Sequence, residues 1–134
     1  MSSTTTNDQQ EKISCQVFKH ADEASVAVAQ HIRTLVEERA AEGKMCVLGL
    51  ATGSTPVEVY NELVRMHRHE GLSLGNVVTF NLDEYFPMQP NELQSYVRFM
   101  NEHLFNHVDI DPAHVHIPDG TLAEAKVHAA CQQY

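Results

Sequence analysis

Two short stretches hold the residue types best suited to chemistry. Leu48-Gly-Leu-Ala-Thr-Gly-Ser-Thr-Pro56 reads as a strand that enters a tight glycine turn and then a helix start. Gly53 permits the turn and a close approach to the backbone. Ser54 and Thr55 add hydroxyl and N–H donors at a helix N-terminus, where the macrodipole favours an anion. The stretch is not a Walker A loop, because the GK[ST] ending is absent, and it is not GxGxxG. The same residues also fit a plain cap and turn, with Thr55 capping its helix and Gly53 bending the chain. The second stretch, Thr79-Phe-Asn-Leu-Asp-Glu-Tyr85, reads as a strand whose last residue is Asp83. Neighbouring strand side chains point to opposite faces, so Asp83 and Glu84 do not suit a shared acid/base pair. One of them faces the crevice beyond the carboxyl end of the sheet, where Asp83 can act as a general base. The plainer reading has Asp83 capping a turn and Glu84 solvated. An anion site beside a proton-moving carboxylate points to a small phosphorylated molecule.

Other chemistry-bearing residues are less specific. Nine histidines include the pairs His103 and His107, His114 and His116, and His67 and His69, but HExxH is missing and no cysteine supports a zinc site. We therefore expect no metal. Cys15, Cys46 and Cys131 are widely spaced and odd in number, which predicts free thiols in a reducing compartment, with Cys46 in the core. Tyr96, Phe99, Met100 and Phe105 fit helix packing better than cofactor stacking.

The elements that must position these residues follow from periodicity. Residues 1–12 are polar and aperiodic, as expected of a disordered tail. Ile13 to Phe18 is a weak edge-strand candidate. Ala21 to Glu42 predicts a helix with Val28, Ile32, Leu35 and Val36 as its apolar stripe and Gly43 as its stop. Met45 to Leu50 is apolar on both alternations, which predicts a strand buried on both faces. Thr55, Pro56 and Glu58 fit a capping box for a helix whose face includes Val59, Tyr60, Leu63, Val64 and His67, ending at Gly71. Val77 to Leu82 is the second buried strand, which completes a right-handed βαβ unit. Phe86 to Asn91 reads as a loop. A helix follows from about Glu92 to Asn106 through Leu93, Val97, Met100 and Leu104. Val115 and Ile117 suggest a short extended piece before the turn Pro118-Asp-Gly120. Leu122 to Tyr134 is helical, with Ala123, Val127, Ala130, Cys131 and Tyr134 on one face. The expected fold class is thus α/β: an open parallel sheet with helices on both faces. It has too few strands for a complete one, so the sheet is cut short or completed by another polypeptide.

The net charge of −9 excludes a general nucleic-acid binder, since no basic surface would release phosphate counterions. No run approaches the ~20 apolar residues of a membrane span. A cytoplasmic protein with no membrane partner is expected.

Taken together, Val47-Leu-Gly-Leu-Ala-Thr-Gly-Ser-Thr-Pro56, Val77-Val-Thr-Phe-Asn-Leu-Asp-Glu-Tyr85, Gln94-Ser-Tyr96 and Ile117-Pro-Asp-Gly120 closely resemble the glucosamine-6-phosphate deaminase family, in its order and spacing, from about Ala21 to Tyr134. Ala51 stands where that family usually has proline, and Tyr85-Phe-Pro-Met88 differs from its commonest loop. The resemblance implies a Rossmann-like fold. It implies conversion of glucosamine 6-phosphate and water to fructose 6-phosphate and ammonia, without cofactor or metal. Gly53, Ser54 and Thr55 would then contribute to the phosphate site, and Asp83 would be the enolisation base. The family's ring-opening segment and basic phosphate ligands lie later than any residue here, so residues 13–134 would be the N-terminal part of such a domain, incomplete for catalysis alone. The alternatives are a 6-phosphogluconolactonase-like hydrolase and a non-catalytic phosphosugar-binding or assembly module. A homo-oligomer is left open.

Overall fold

The computed structural model describes residues 13–134; the expected tail at residues 1–12 lies outside them. Ile13 to Phe18 forms no strand. The elements are α1 (Ala21–Ala41), β1 (Cys46–Leu50), α2 (Val57–Glu70), β2 (Val77–Asn81), α3 (Tyr96–His103), β3 (Val115–His116) and α4 (Glu124–Gln133), with single 3-10 turns at Phe105–His107 and Pro112–His114. The three strands are parallel in the order β1-β2-β3. This is a Rossmann-like α/β arrangement.

Asp22 and Glu23 occupy the first turn of α1, where they complement the helix dipole. Its buried residues are Ala29 and Val36, with Ile32 partly buried beside them. This corrects the expected stripe, since Val28 and Leu35 remain exposed. The small Ala29 side chain lets α1 approach its neighbours closely, a signal that a search for large apolar residues passes over. In α2, Tyr60, Leu63 and Met66 are buried. Each fully buried aliphatic side chain contributes about 1.5–3 kcal/mol. The helix ends at Gly71, where Leu72 N–H reaches back to Met66 O at 3.2 Å.

The core lies between the α1–α2–α3 layer and one sheet face. Cys46, Val77, Thr79 and Asn81 point into it, and Met100, Leu104 and Ile110 close it from the α3 side. The opposite face is not buried as expected: Val47 is 63% exposed and Phe80 39%. Among the described residues only α4 lies on that side, and it contributes no buried residue. It is held by Tyr134, whose hydroxyl donates to Asn81 O at 2.6 Å, with His116 O at 3.1 Å. β1 has a strand partner on one edge only among the described residues.

Two boundaries shift. β2 stops at Asn81, leaving Leu82 89% exposed and Asp83 in the following loop. α3 starts at Tyr96 rather than Glu92, because Ser95 is its N-cap and accepts from Arg98 N–H at 3.4 Å. Leu93 is consequently 83% exposed and packs no helix face.

Candidate active site

Parallel pairing brings the two motifs side by side. Leu50 and Asn81 are register partners, so both chains leave the sheet at the same end, about 4.8 Å apart across the ladder. The glycine turn follows one strand end and Asp83 follows the other.

Two side chains lock these ends. Asn81 Nδ2 donates to Leu50 O at 3.0 Å. The buried Tyr60 of α2 donates its hydroxyl to Ala51 O, the first residue of the turn. Burial pushes the Tyr60 phenol up to about 12, so it stays a protonated donor at neutral pH.

The expected capping box does not form. Pro56 flanks α2 with φ −81° and ψ −6°, and no side chain caps the helix. Val57 N–H turns back to Ser54 O at 3.4 Å, and no N–H of α2 reaches the Thr55 hydroxyl. Glu58 meets Asn61 Nδ2 at 3.5 Å. Ser54 and Thr55 are exposed. Among the described residues no protein acceptor takes their hydroxyls or the N–H groups of Gly53, Ser54 and Thr55. Gly53 has φ +99°, which L side chains rarely adopt. The result is a run of uncommitted donors at a helix start, the arrangement an anion needs. No Lys or Arg occurs in residues 51–56 or 79–90, so these donors are neutral.

Asp83 and Glu84 have divided roles. Asp83 is exposed, and no hydrogen-bond partner holds it among the described residues; it caps no turn. Glu84 is not the solvated carboxylate of the plainer reading. Its Oε1 accepts from Tyr85 N–H at 2.8 Å and Tyr96 N–H at 2.9 Å. Its Oε2 accepts from the Ser95 hydroxyl at 2.9 Å and Val97 N–H at 3.1 Å. Burial pushes the Glu84 carboxyl up, but the backbone N–H groups and Ser95 outweigh it and hold the group below its ordinary value.

Gly120 also shapes the site, and sequence reasoning saw only its turn. A Cβ at Gly120 would stand 2.7 Å from Tyr85 O and 2.8 Å from Met88 O. Met88 N–H donates to Gly120 O at 2.8 Å. The Ile117–Gly120 turn is thus the dock for the loop that follows Asp83.

Three of the paired histidines, His103, His107 and His116, are engaged elsewhere. α3 ends at His103, which packs on Phe99 at 4.3 Å between ring centroids. His107 lies beyond it, with Nε2 2.7 Å from Glu102 O and Nδ1 3.0 Å from Arg68 Nη2. His116 stacks on Phe80 at 4.5 Å. Among the described residues no three His, Cys, Asp or Glu side chains gather as metal ligands. A groove of about 550 Å³ lies under α4, lined by Phe80, Leu82, His116, Val127, Cys131 and Tyr134 among others. It is mostly apolar and includes neither Gly53 nor Asp83, so it does not fit a phosphorylated sugar.

The chain is similar to known proteins along most of its described length. The family model for glucosamine-6-phosphate isomerases/6-phosphogluconolactonase matches residues 19–134. Glucosamine-6-phosphate deaminase 2 of Giardia intestinalis is 48% identical over 110 residues, which are 82% of this chain and 40% of that protein. Glucosamine-6-phosphate deaminase 2 of Bacillus subtilis (strain 168) is 40% identical, covering 81% of this chain and 46% of that one. Among solved structures, a monomeric glucosamine-6-phosphate deaminase superposes with a TM-score of 0.79 at 36% identity, over 86% of this chain and 45% of the other. A 6-phosphogluconolactonase from Thermotoga maritima superposes at 0.66 with 29% identity, over 82% and 47%. The chain spans less than half the length of each of these relatives. The chain belongs to the glucosamine-6-phosphate isomerase/6-phosphogluconolactonase family.

Proposed function

We propose that residues 13–134 are the N-terminal part of a deaminase-type α/β domain that converts glucosamine 6-phosphate and water to fructose 6-phosphate and ammonia. The observation that carries this reading is the Leu50–Asn81 register, with the uncommitted donors of Gly53, Ser54 and Thr55 beyond one strand end and the unpartnered Asp83 beyond the other. The turn takes the sugar phosphate on its N–H and hydroxyl donors. Asp83 removes the C2 proton from the ring-opened sugar and delivers a proton to C1, while the aldehyde oxygen gains a proton and the amine nitrogen loses one, so that the C2 amine becomes an imine. Water adds at C2 and ammonia leaves. Deaminases at 40–48% identity support this substrate over the lactone. A phosphorylated, water-soluble substrate and three free cysteines fit a reducing, cytoplasmic setting.

The test is exchange of the sugar C2 proton with D₂O, followed by NMR on glucosamine 6-phosphate with the whole domain of which these residues form the N-terminal part, and with its Asp83→Asn form. The unsubstituted domain accelerates exchange, and Asp83→Asn lowers the rate by about 10²–10⁴-fold, the usual worth of a general base. Equal rates from both proteins would remove Asp83 from the chemistry. Hydrolysis of 6-phosphogluconolactone without C2 exchange would favour the lactonase reading, and saturable phosphosugar binding without either reaction would favour a binding module.

A further inference from the structure

The loop between β2 and α3 holds two consecutive carboxylates with opposite fates. Asp83 is exposed and unbonded among the described residues. Glu84 takes four hydrogen bonds between 2.8 and 3.1 Å. Three of its four donors, Ser95, Tyr96 and Val97, lie 11 to 13 residues further along the chain. They form the cap and first turn of α3, which carries no acidic residue of its own in that turn. Glu84 therefore supplies from outside the helix the negative charge that its N-terminus favours. Ser95 is 1% exposed and completes the link, since its hydroxyl donates to Glu84 while accepting Arg98 N–H at 3.4 Å.

The upstream side of Asp83 is pinned as well. Asn81 is 1% exposed, and its amide donates to Leu50 O at 3.0 Å. Only Leu82, itself 89% exposed, separates Asn81 from Asp83. A residue with no bonds of its own thus sits between two neighbours that are fixed to different elements. Consecutive Cα atoms are about 3.8 Å apart, so the backbone of Asp83 cannot wander while Glu84 stays bound. Misplacing a reacting group by 1 Å can cost about 100-fold in rate, so such fastening has a chemical consequence.

We propose that Glu84 is the positioning residue for Asp83: its ionised carboxylate ties the loop to the N-terminus of α3 and so fixes where the neighbouring carboxylate stands. The role rests on the reading of Asp83 as the base. The same bonds that hold Glu84 also hold its carboxyl below the ordinary value. The fastening is therefore complete above the ordinary Glu value of about 4.5 and is released as pH falls through the lower value of the folded chain.

Glu84→Gln keeps the shape of the side chain but replaces one acceptor oxygen with an NH₂ that faces N–H and O–H donors. The test follows this variant and the unsubstituted chain by backbone ¹⁵N relaxation and amide exchange, with no ligand present. In the unsubstituted chain at pH 7, Leu82 and Asp83 have order parameters near ~0.85, the rigid-backbone range. In Glu84→Gln they fall below ~0.6, and protection of the Tyr96 and Val97 amides drops at least tenfold. In the unsubstituted chain the same loss of order appears as pH is lowered through the Glu84 titration, and Glu84→Gln shows no such pH profile. Rigid Leu82 and Asp83 in Glu84→Gln would overturn the proposal, even with α3 deprotected, because Glu84 would then be a helix cap alone. If Glu84→Gln does not fold, Ser95→Ala removes one of the four bonds and keeps the charge. A fall in Asp83 order with lower Tyr96 protection supports the proposal, and unchanged order contradicts it. These measurements need no turnover, so the proposal can stand or fall separately from the deaminase reading.

Discussion

Replacing Gly120 by alanine probes the contact that shapes the loop after Asp83. The added Cβ would stand 2.7 Å from Tyr85 O, 2.8 Å from Met88 O and 3.0 Å from Met88 Cβ. Two of these neighbours are backbone oxygens, which cannot rotate away as a side-chain tip can. The Tyr85–Met88 segment must move off the Ile117–Gly120 turn, and the 2.8 Å bond from Met88 N–H to Gly120 O is lost or stretched. Overpacking of this kind costs about 1–3 kcal/mol, and one hydrogen bond adds about 0.5–1.5 kcal/mol. Gly120→Ala should therefore destabilise the chain by about 2–4 kcal/mol, a large share of the ~5–15 kcal/mol of a typical domain. Urea unfolding followed by circular dichroism measures it as a lower midpoint at unchanged slope. Because Tyr85 follows Asp83 and Glu84 directly, the amide resonances of residues 82–88 should shift as well. An unfolding free energy within ~0.5 kcal/mol of the unsubstituted chain, with those resonances in place, would show that the close approach does not hold the loop.

Two further outcomes follow from the site. Tyr60→Phe leaves Ala51 O without its donor; the exposed turn lets water replace it in part, so about 1 kcal/mol is lost, and the Gly53 to Thr55 amides shift in a ¹⁵N spectrum, whereas an unmoved spectrum would detach Tyr60 from the turn. Stability also falls in acid: Glu84 and Asp109 both have carboxyls held below their ordinary values, Asp109 because the Ser73 hydroxyl and Leu74 N–H outweigh its burial. A depressed folded-state pKa stabilises above the unfolded value and is lost as pH falls through the folded one. The urea midpoint should thus hold from pH 7 to about 4.5 and drop below it, and a midpoint that rises in acid would contradict these assignments.

The sequence made the frame legible where one signal dominated. The glycine turn, the two strands and the βαβ order follow from runs and breakers that no tertiary contact overrides. It misled where two local signals competed. Thr55, Pro56 and Glu58 spell a capping box, yet no side chain caps α2 and the box never closes. Leu93 fits the apolar spacing of α3, but Ser95 and the distant Glu84 set the helix start two residues after it. The fastening of Glu84 is not legible locally, because three of its four donors are 11 to 13 residues away, beyond any local pattern. The two-sided apolarity of β1 reports the cover such a strand would need, while Val47 and Gly49 carry none among the described residues. For Asp83 and the Gly53–Thr55 turn, sequence supplied the residue types, and the Leu50–Asn81 register supplied their adjacency.

That adjacency is the central claim, and a ¹⁵N-labelled titration of the chain with glucosamine 6-phosphate tests it most directly, with inorganic phosphate as the reference ligand. The account predicts that inorganic phosphate shifts the Gly53, Ser54 and Thr55 amides alone, whereas glucosamine 6-phosphate shifts these and Asp83 together with one binding constant. Shifts confined to the groove under α4, or a sugar phosphate that moves the turn without touching Asp83, would contradict a single site built from two strand ends.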